Sequence, residues 1–128
     1  MSDLFTGLKQ KLSGQNLRIV FPEGLDERVL VAASRLAVDG VLTPILVGNI
    51  EAIQAKATEL NAPLDSVEIY DPNAFAGMDE LVASFVERRK GKATEEQARK
   101  ILLDENYFGT MLVHTNRADG LVSGAAHS

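Results

Sequence analysis

Apolar residues along this chain fall at two spacings that alternate from one end to the other. Phe5, Leu8 and Leu12 share one side of a helix that Ser2 or Asp3 can cap and Gly14 ends. "LRIVF" (Leu17 to Phe21) is a short run of β-formers and reads as a buried strand. "PEGLD" turns the chain. A second helix then runs from about Asp26 to Val38, with Val29, Ala32, Ala33 and Leu36 at helical spacing and Gly40 just past its end. "TPILVG" (Thr43 to Gly48) predicts a second strand, and Asn49 caps a helix holding Ile50, Ile53 and Ala57. "SVEIYD" (Ser66 to Asp71) predicts a third strand. Met78 to about Lys90 forms a further helix ending near Gly91. Thr94 and Gln97 make a capping box for the next helix, which reaches Leu103. "NYFGTMLVHT" follows as a largely apolar helix, and "ADGLVSG" is the fourth strand.

Strands that alternate with helices imply βαβ units and a parallel sheet covered on both faces, with right-handed crossovers. The expected fold class is α/β, three layers around a mainly parallel sheet. Ligands of such sheets sit beyond the carboxyl ends of the strands. The loops "PEGLD", "VGN", "YDPN" and "SGAAHS" fall at that edge.

Composition narrows the function. The 128 residues are 45% hydrophobic and 24% charged, which suits one globular unit. A net charge of −5 argues against a nucleic-acid partner, whose phosphates want a basic surface, but leaves room for a small anion held by one or two arginines. There is no Cys, hence no disulfide and no thiolate metal site. No His and carboxylates stand at metal spacing, so no bound metal is expected. The start, "MSDLFTGLKQKL", lacks the pattern of a signal peptide, and no apolar run approaches the roughly 20 residues of a membrane span. A soluble cytoplasmic protein is expected.

Candidate chemistry concentrates in two places. In "FVERRKGK" (Phe85 to Lys92), Met78, Leu81, Val82, Phe85 and Val86 define an apolar stripe. Arg89 falls within roughly 20° of its centre, Arg88 at its edge and Lys90 outside it. A guanidinium in line with a buried stripe needs a carboxylate or a bound anion, because an unpaired buried charge is costly. Arg89 is therefore the candidate anion ligand, against the plainer reading of cations complementing a helix dipole. The second place is "ADGLVSGAAHS", where small residues after a strand let backbone N–H groups approach an anion. It is neither a P-loop nor GxGxxG, and a plain strand-to-helix turn reads it equally well. His127, a lone His near the chain end, reads as neither base nor ligand, His114 reads as structural, and Glu23 and Asp26 as groups that stabilise a helix start.

In family order, "RIVFPEGLDERVLVAA", "PILVGN", "YDP", "FVERRKGK" and "YFGTMLVHTNRADGLVSGAAHS" closely resemble the amino-terminal part of the short-form phosphate acetyltransferases. The resemblance covers nearly the whole chain and implies a Rossmann-like fold of the phosphate acyltransferase and isocitrate dehydrogenase kind, incomplete here. Residues 1–128 would be the first part of the first α/β domain of a two-domain acyltransferase, with the active site in the cleft between domains. The implied reaction is reversible transfer of an acetyl group between coenzyme A and phosphate, giving acetyl phosphate, as in acetate metabolism.

The resemblance further implies direct transfer in a ternary complex. An Asp beyond Ser128 would act as general base on the thiol, and the main catalytic groups would also lie beyond Ser128, leaving the 128-residue chain inactive alone. Onto this chain it carries Arg89, for phosphate or coenzyme A, and Ser123, Gly124 and Ser128 of the cleft loop. It implies no permanently bound cofactor, coenzyme A and acetyl-CoA as substrates, no nucleic-acid or membrane partner, and a homodimer when complete. Two alternatives stand beside it: a phosphate butyryltransferase-type enzyme, and a non-catalytic anion-binding module.

Overall fold

A computed structural model describes residues 17–122, and the expected first helix lies outside that range. Four strands form one sheet: β1 (Leu17–Phe21), β2 (Leu42–Val47), β3 (Glu68–Tyr70) and β4 (Gly120–Leu121). They are ordered β3-β2-β1-β4, and every pair is parallel. The helices are α1 (Glu27–Val38), α2 (Ile50–Glu59), α3 (Met78–Arg88), α4 (Glu95–Ile101) and α5 (Glu105–His114). The expected α/β class and its strand-helix alternation hold.

Strand periodicity sorts the core into two layers. Ile19 and Phe21 of β1 join Leu42 and Leu46 of β2 on one face, beneath Leu30 and Ala33 of α1 and Ile53 of α2. Val20, Ile45 and Val47 point to the other face, beneath Leu81, Val82 and Phe85 of α3, Ala98 of α4, and Phe108 and Leu112 of α5. Pro44 inside a strand is tolerated for a positional reason. β3 joins β2 only from Ile45 onward, so at Pro44 the strand has a ladder neighbour on the β1 side alone.

Local signals set the helix ends. Asp26 caps α1 by accepting from the N–H groups of Arg28 and Val29. Asn49 caps α2, and Asp104 caps α5. Thr94 and Gln97 close the expected capping box, with bonds of 3.1 and 3.0 Å. Gly109 lets α5 lie close on the sheet: a Cβ there would sit 2.9 Å from Leu121 Cδ1 and 3.0 Å from Val20 Cγ1.

Strand order also locates the reversal of the sheet. β1, β2 and β3 progress in one direction, and the chain then returns through α3, α4 and α5 to place β4 on the far side of β1. The switch point lies between the carboxyl ends of β1 and β4, the usual ligand position in such sheets.

Candidate functional site

α3 carries the first candidate group. Its buried residues, Leu81, Val82 and Phe85, hold it on the sheet. The helix stops at Arg88, earlier than the expected Lys90. Arg89 is its C-cap, with its N–H bonded to the Phe85 carbonyl at 3.0 Å. Lys90 and Gly91 then take positive φ, 52° and 83°, and turn the chain away. Position four after Phe85 places the Arg89 guanidinium over that ring, 4.8 Å from its centroid.

This corrects the expectation that Arg89 is a buried charge. Arg89 does align with the apolar stripe, but the helix ends beneath it and its side chain is exposed. The ring face, rather than a buried counter-ion, receives it. Among the described residues no carboxylate pairs with Arg88 or Arg89, so the hydrogen-bonding edges of both stay available.

Arg89 opens onto a groove of about 240 Å³ between the end of α3 and the outer face of α5. Phe85, Arg88, Tyr107, Thr110, Met111 and His114 complete its lining. Tyr107 meets Phe85 edge to face, with centroids 6.4 Å apart and planes at 85°. Two guanidiniums, two hydroxyls, an imidazole and an aromatic face suit an anionic ligand that also carries apolar or planar parts. A larger hollow of about 500 Å³ lies between α3 and α4, but Asp79, Glu87 and Glu95 rim it. Its one cation, Arg99, is already bound to Asp79 and Glu95 at 2.5 and 3.0 Å, so that hollow offers an anion little.

The sequence singled out Arg89 and placed Arg88 only at the edge of the stripe; the structure puts both on one groove. It also adds Tyr107, Thr110 and His114, the last having been read as structural. Their signal was present in the spacing: residues 107, 110, 111 and 114 share one face of a helix. Ser123, Gly124 and Ser128, together with His127, lie outside the described residues.

The carboxyl edge of β1 has a different character. Asp26 is the side-chain cap expected there. Glu23 instead lies close enough to Glu105 to act on its charge. Glu105 titrates above the usual carboxylate range because it is partly buried, with the negative Asp104 and Glu23 adding to the effect. At the opposite, amino edge, Arg18 bonds to Glu68, to the Tyr70 hydroxyl and to the Arg117 carbonyl. Arg117 in turn pairs with Glu80.

Comparison with known proteins bears on the sequence and the fold. The family model described as phosphate acetyl/butaryl transferase matches residues 3–128. A phosphate acetyltransferase of Bacillus subtilis is 66% identical over 128 residues, all of this chain and 40% of that protein. A phosphate acetyltransferase of Staphylococcus aureus is 55% identical over the same 128 residues, 39% of its own length. Among solved structures, a phosphotransacetylase from Streptococcus pyogenes superposes with a TM-score of 0.89 at 50% identity, covering 100% of this chain and 39% of that one. The EutD phosphotransacetylase from Staphylococcus aureus gives 0.87 at 54% identity, covering 99% and 38%. The chain thus spans about 40% of the length of the curated relatives it matches. On this sequence and fold, the chain belongs to the phosphate acetyl/butaryl transferase family.

Proposed function

We propose that residues 1–128 are the amino-terminal part of an enzyme that reversibly transfers an acetyl group between coenzyme A and phosphate. The identity of 66% to a phosphate acetyltransferase across every residue of the chain carries this reading. The groove at Arg89 fits it chemically. Coenzyme A, phosphate and acetyl phosphate are all anions, and coenzyme A adds planar and apolar parts.

In this reading Arg89, with Arg88 beside it, binds the phosphate groups of a substrate. Ser123, Gly124 and Ser128, which follow β4 in the sequence, are the further substrate-binding candidates, being small residues with hydroxyls and backbone N–H groups that suit an anion. The thiol base and most catalytic groups belong to the remainder of the enzyme, which leaves the 128-residue chain inactive alone. No permanently bound cofactor takes part, and the complete enzyme is a cytoplasmic homodimer.

The test is thiol release from acetyl-CoA with phosphate present, on this chain and on its gene extended to the natural stop. Activity in the extended protein alone supports the reading. Activity in the 128-residue chain would place a full set of catalytic groups within it and overturn the division of labour. A preference for butyryl-CoA in the extended protein would move the assignment to the butyryl branch, and inactivity with both thioesters would favour an anion-binding module.

A further inference from the structure

Arg89 occupies an awkward position for a binding group. It follows the last helical residue, and Lys90 and Gly91 turn the chain away immediately afterwards. No later turn of helix supports its side chain, so an arginine there would ordinarily sample many rotamers. What lies beneath it is a ring packed into the core. Phe85 is 5% exposed and packed in the cluster that holds Leu81, Val82 and Met111. The Tyr107 ring meets it at 85° from the other side of the groove. The guanidinium rests 4.8 Å over the Phe85 centroid.

We propose that Phe85 is a positioning residue, whose ring holds the Arg89 guanidinium so that its hydrogen-bonding edge stays in the groove for an anionic substrate. This rests on the reading of Arg89 as a substrate ligand. A ring holds a guanidinium by its charge and accepts no conventional hydrogen bond, so the N–H donors are left for a phosphate fork. The ring thereby reduces the ordering that binding would otherwise require. Arg88 gains no such support: its side chain leaves the helix about 100° away.

The experiment is a double-mutant cycle in the complete enzyme that carries this chain, following KM for phosphate and for acetyl-CoA, kcat, and thermal stability. F85L keeps an apolar side chain in the core and removes the π face; if it does not fold, F85M gives the same cycle. R89Q is expected to raise one of the two KM values. F85L should then raise that same KM by about two- to five-fold, the scale of an exposed cation–π contact, with kcat little changed. F85L/R89Q should match R89Q alone, and F85Y, which restores a π face, should restore KM.

A Phe85 that served packing alone would lower stability, and its effect on KM would multiply with that of R89Q; that result overturns the proposal. Unchanged KM in F85L beside a raised KM in R89Q also overturns it, while leaving Arg89 as a ligand. Unchanged KM values in R89Q overturn the reading of Arg89 itself, and the positioning role with it.

Discussion

The Arg18 guanidinium on β1 reaches past β2 to the Glu68 carboxylate on β3, at 2.7 Å. Tyr70, two residues further along β3, closes the group by donating its hydroxyl to the same carboxylate oxygen at 2.6 Å. The contact ties strands that are not ladder neighbours.

Glu68 gives the first prediction. Burial pushes its carboxyl upward, but hydrogen bonds from Tyr70 and Arg18 and the Arg18 charge outweigh burial and hold it below the ordinary range. Arg18 is held above its usual value, chiefly by the hydrogen bond to Glu68, so both partners report the same attraction. A depressed carboxyl adds stability above its unfolded value and loses it as pH falls through the folded one. E68Q should therefore cost stability at neutral pH, and its deficit against wild type should shrink below the ordinary glutamate range. About 1 kcal/mol is the expected scale, because the pair is more than a third exposed and solvent screens it. Urea denaturation of both proteins at neutral and acid pH measures this. A deficit independent of pH would sink the electrostatic account.

Glu105 should behave in the opposite sense. Its carboxyl is raised by burial first, then by Asp104 and Glu23. A raised carboxyl favours the folded state below its unfolded value, and that contribution is lost as pH rises through the folded value. E105Q should then be more stable than wild type at neutral pH, with the advantage vanishing on acidification. D104N retains an N-cap side chain for α5 and removes one negative charge, so Glu105 should titrate lower in that variant. Carboxyl titration by NMR reads both effects; an unmoved Glu105 in D104N would exclude Asp104 as a contributor.

Gly24 predicts a large packing cost. A Cβ at this position would lie 2.7 Å from the Val47 carbonyl oxygen and 2.8 Å from Ile53 Cδ1. The first neighbour is backbone at the end of a fully buried strand residue and cannot rotate away. G24A should destabilise by about 1–3 kcal/mol, the usual cost of overpacking. Thermal unfolding measures it, and a melting temperature equal to wild type would show that the loop after β1 has room to retreat.

On the groove, R89Q in the complete enzyme should weaken one substrate by about ten-fold or more, the scale of a lost charge-assisted hydrogen bond. R88Q should cost less, because the Arg88 guanidinium has no ring beneath it to hold it in place. Initial-rate kinetics with each substrate varied in turn give the comparison. Equal losses in the two variants would mean that overall positive charge, rather than a held guanidinium, is what the groove supplies.

Most helix starts could be read directly, because a cap is a local bond: Asp26, Asn49 and Thr94 accept from N–H groups two or three residues ahead. Strand positions were legible from β-formers, although β3 is shorter than "SVEIYD" suggested and β4 shorter than "ADGLVSG". Helix ends were less legible. The helical wheel placed Arg89 on the apolar stripe, and the geometry agrees; its burial did not follow, since a wheel carries no information about where the helix stops. The partners of Arg89 were harder still. Tyr107, Thr110 and His114 stand 18 or more positions further along and meet it only because α3 and α5 share one face of the sheet.

The sequence by itself determined the alternation of strands and helices, their caps, the parallel sheet and the family, since each rests on periodicities or motifs within a few residues. Tertiary structure alone decided the order β3-β2-β1-β4, the tie from Arg18 to Glu68 across an intervening strand, and the groove that joins Arg88 and Arg89 to Tyr107 and His114. The physical reason is the same in all three. Contacts between distant segments depend on which faces the core buries together, and a linear pattern shows which face is apolar but not what that face will meet.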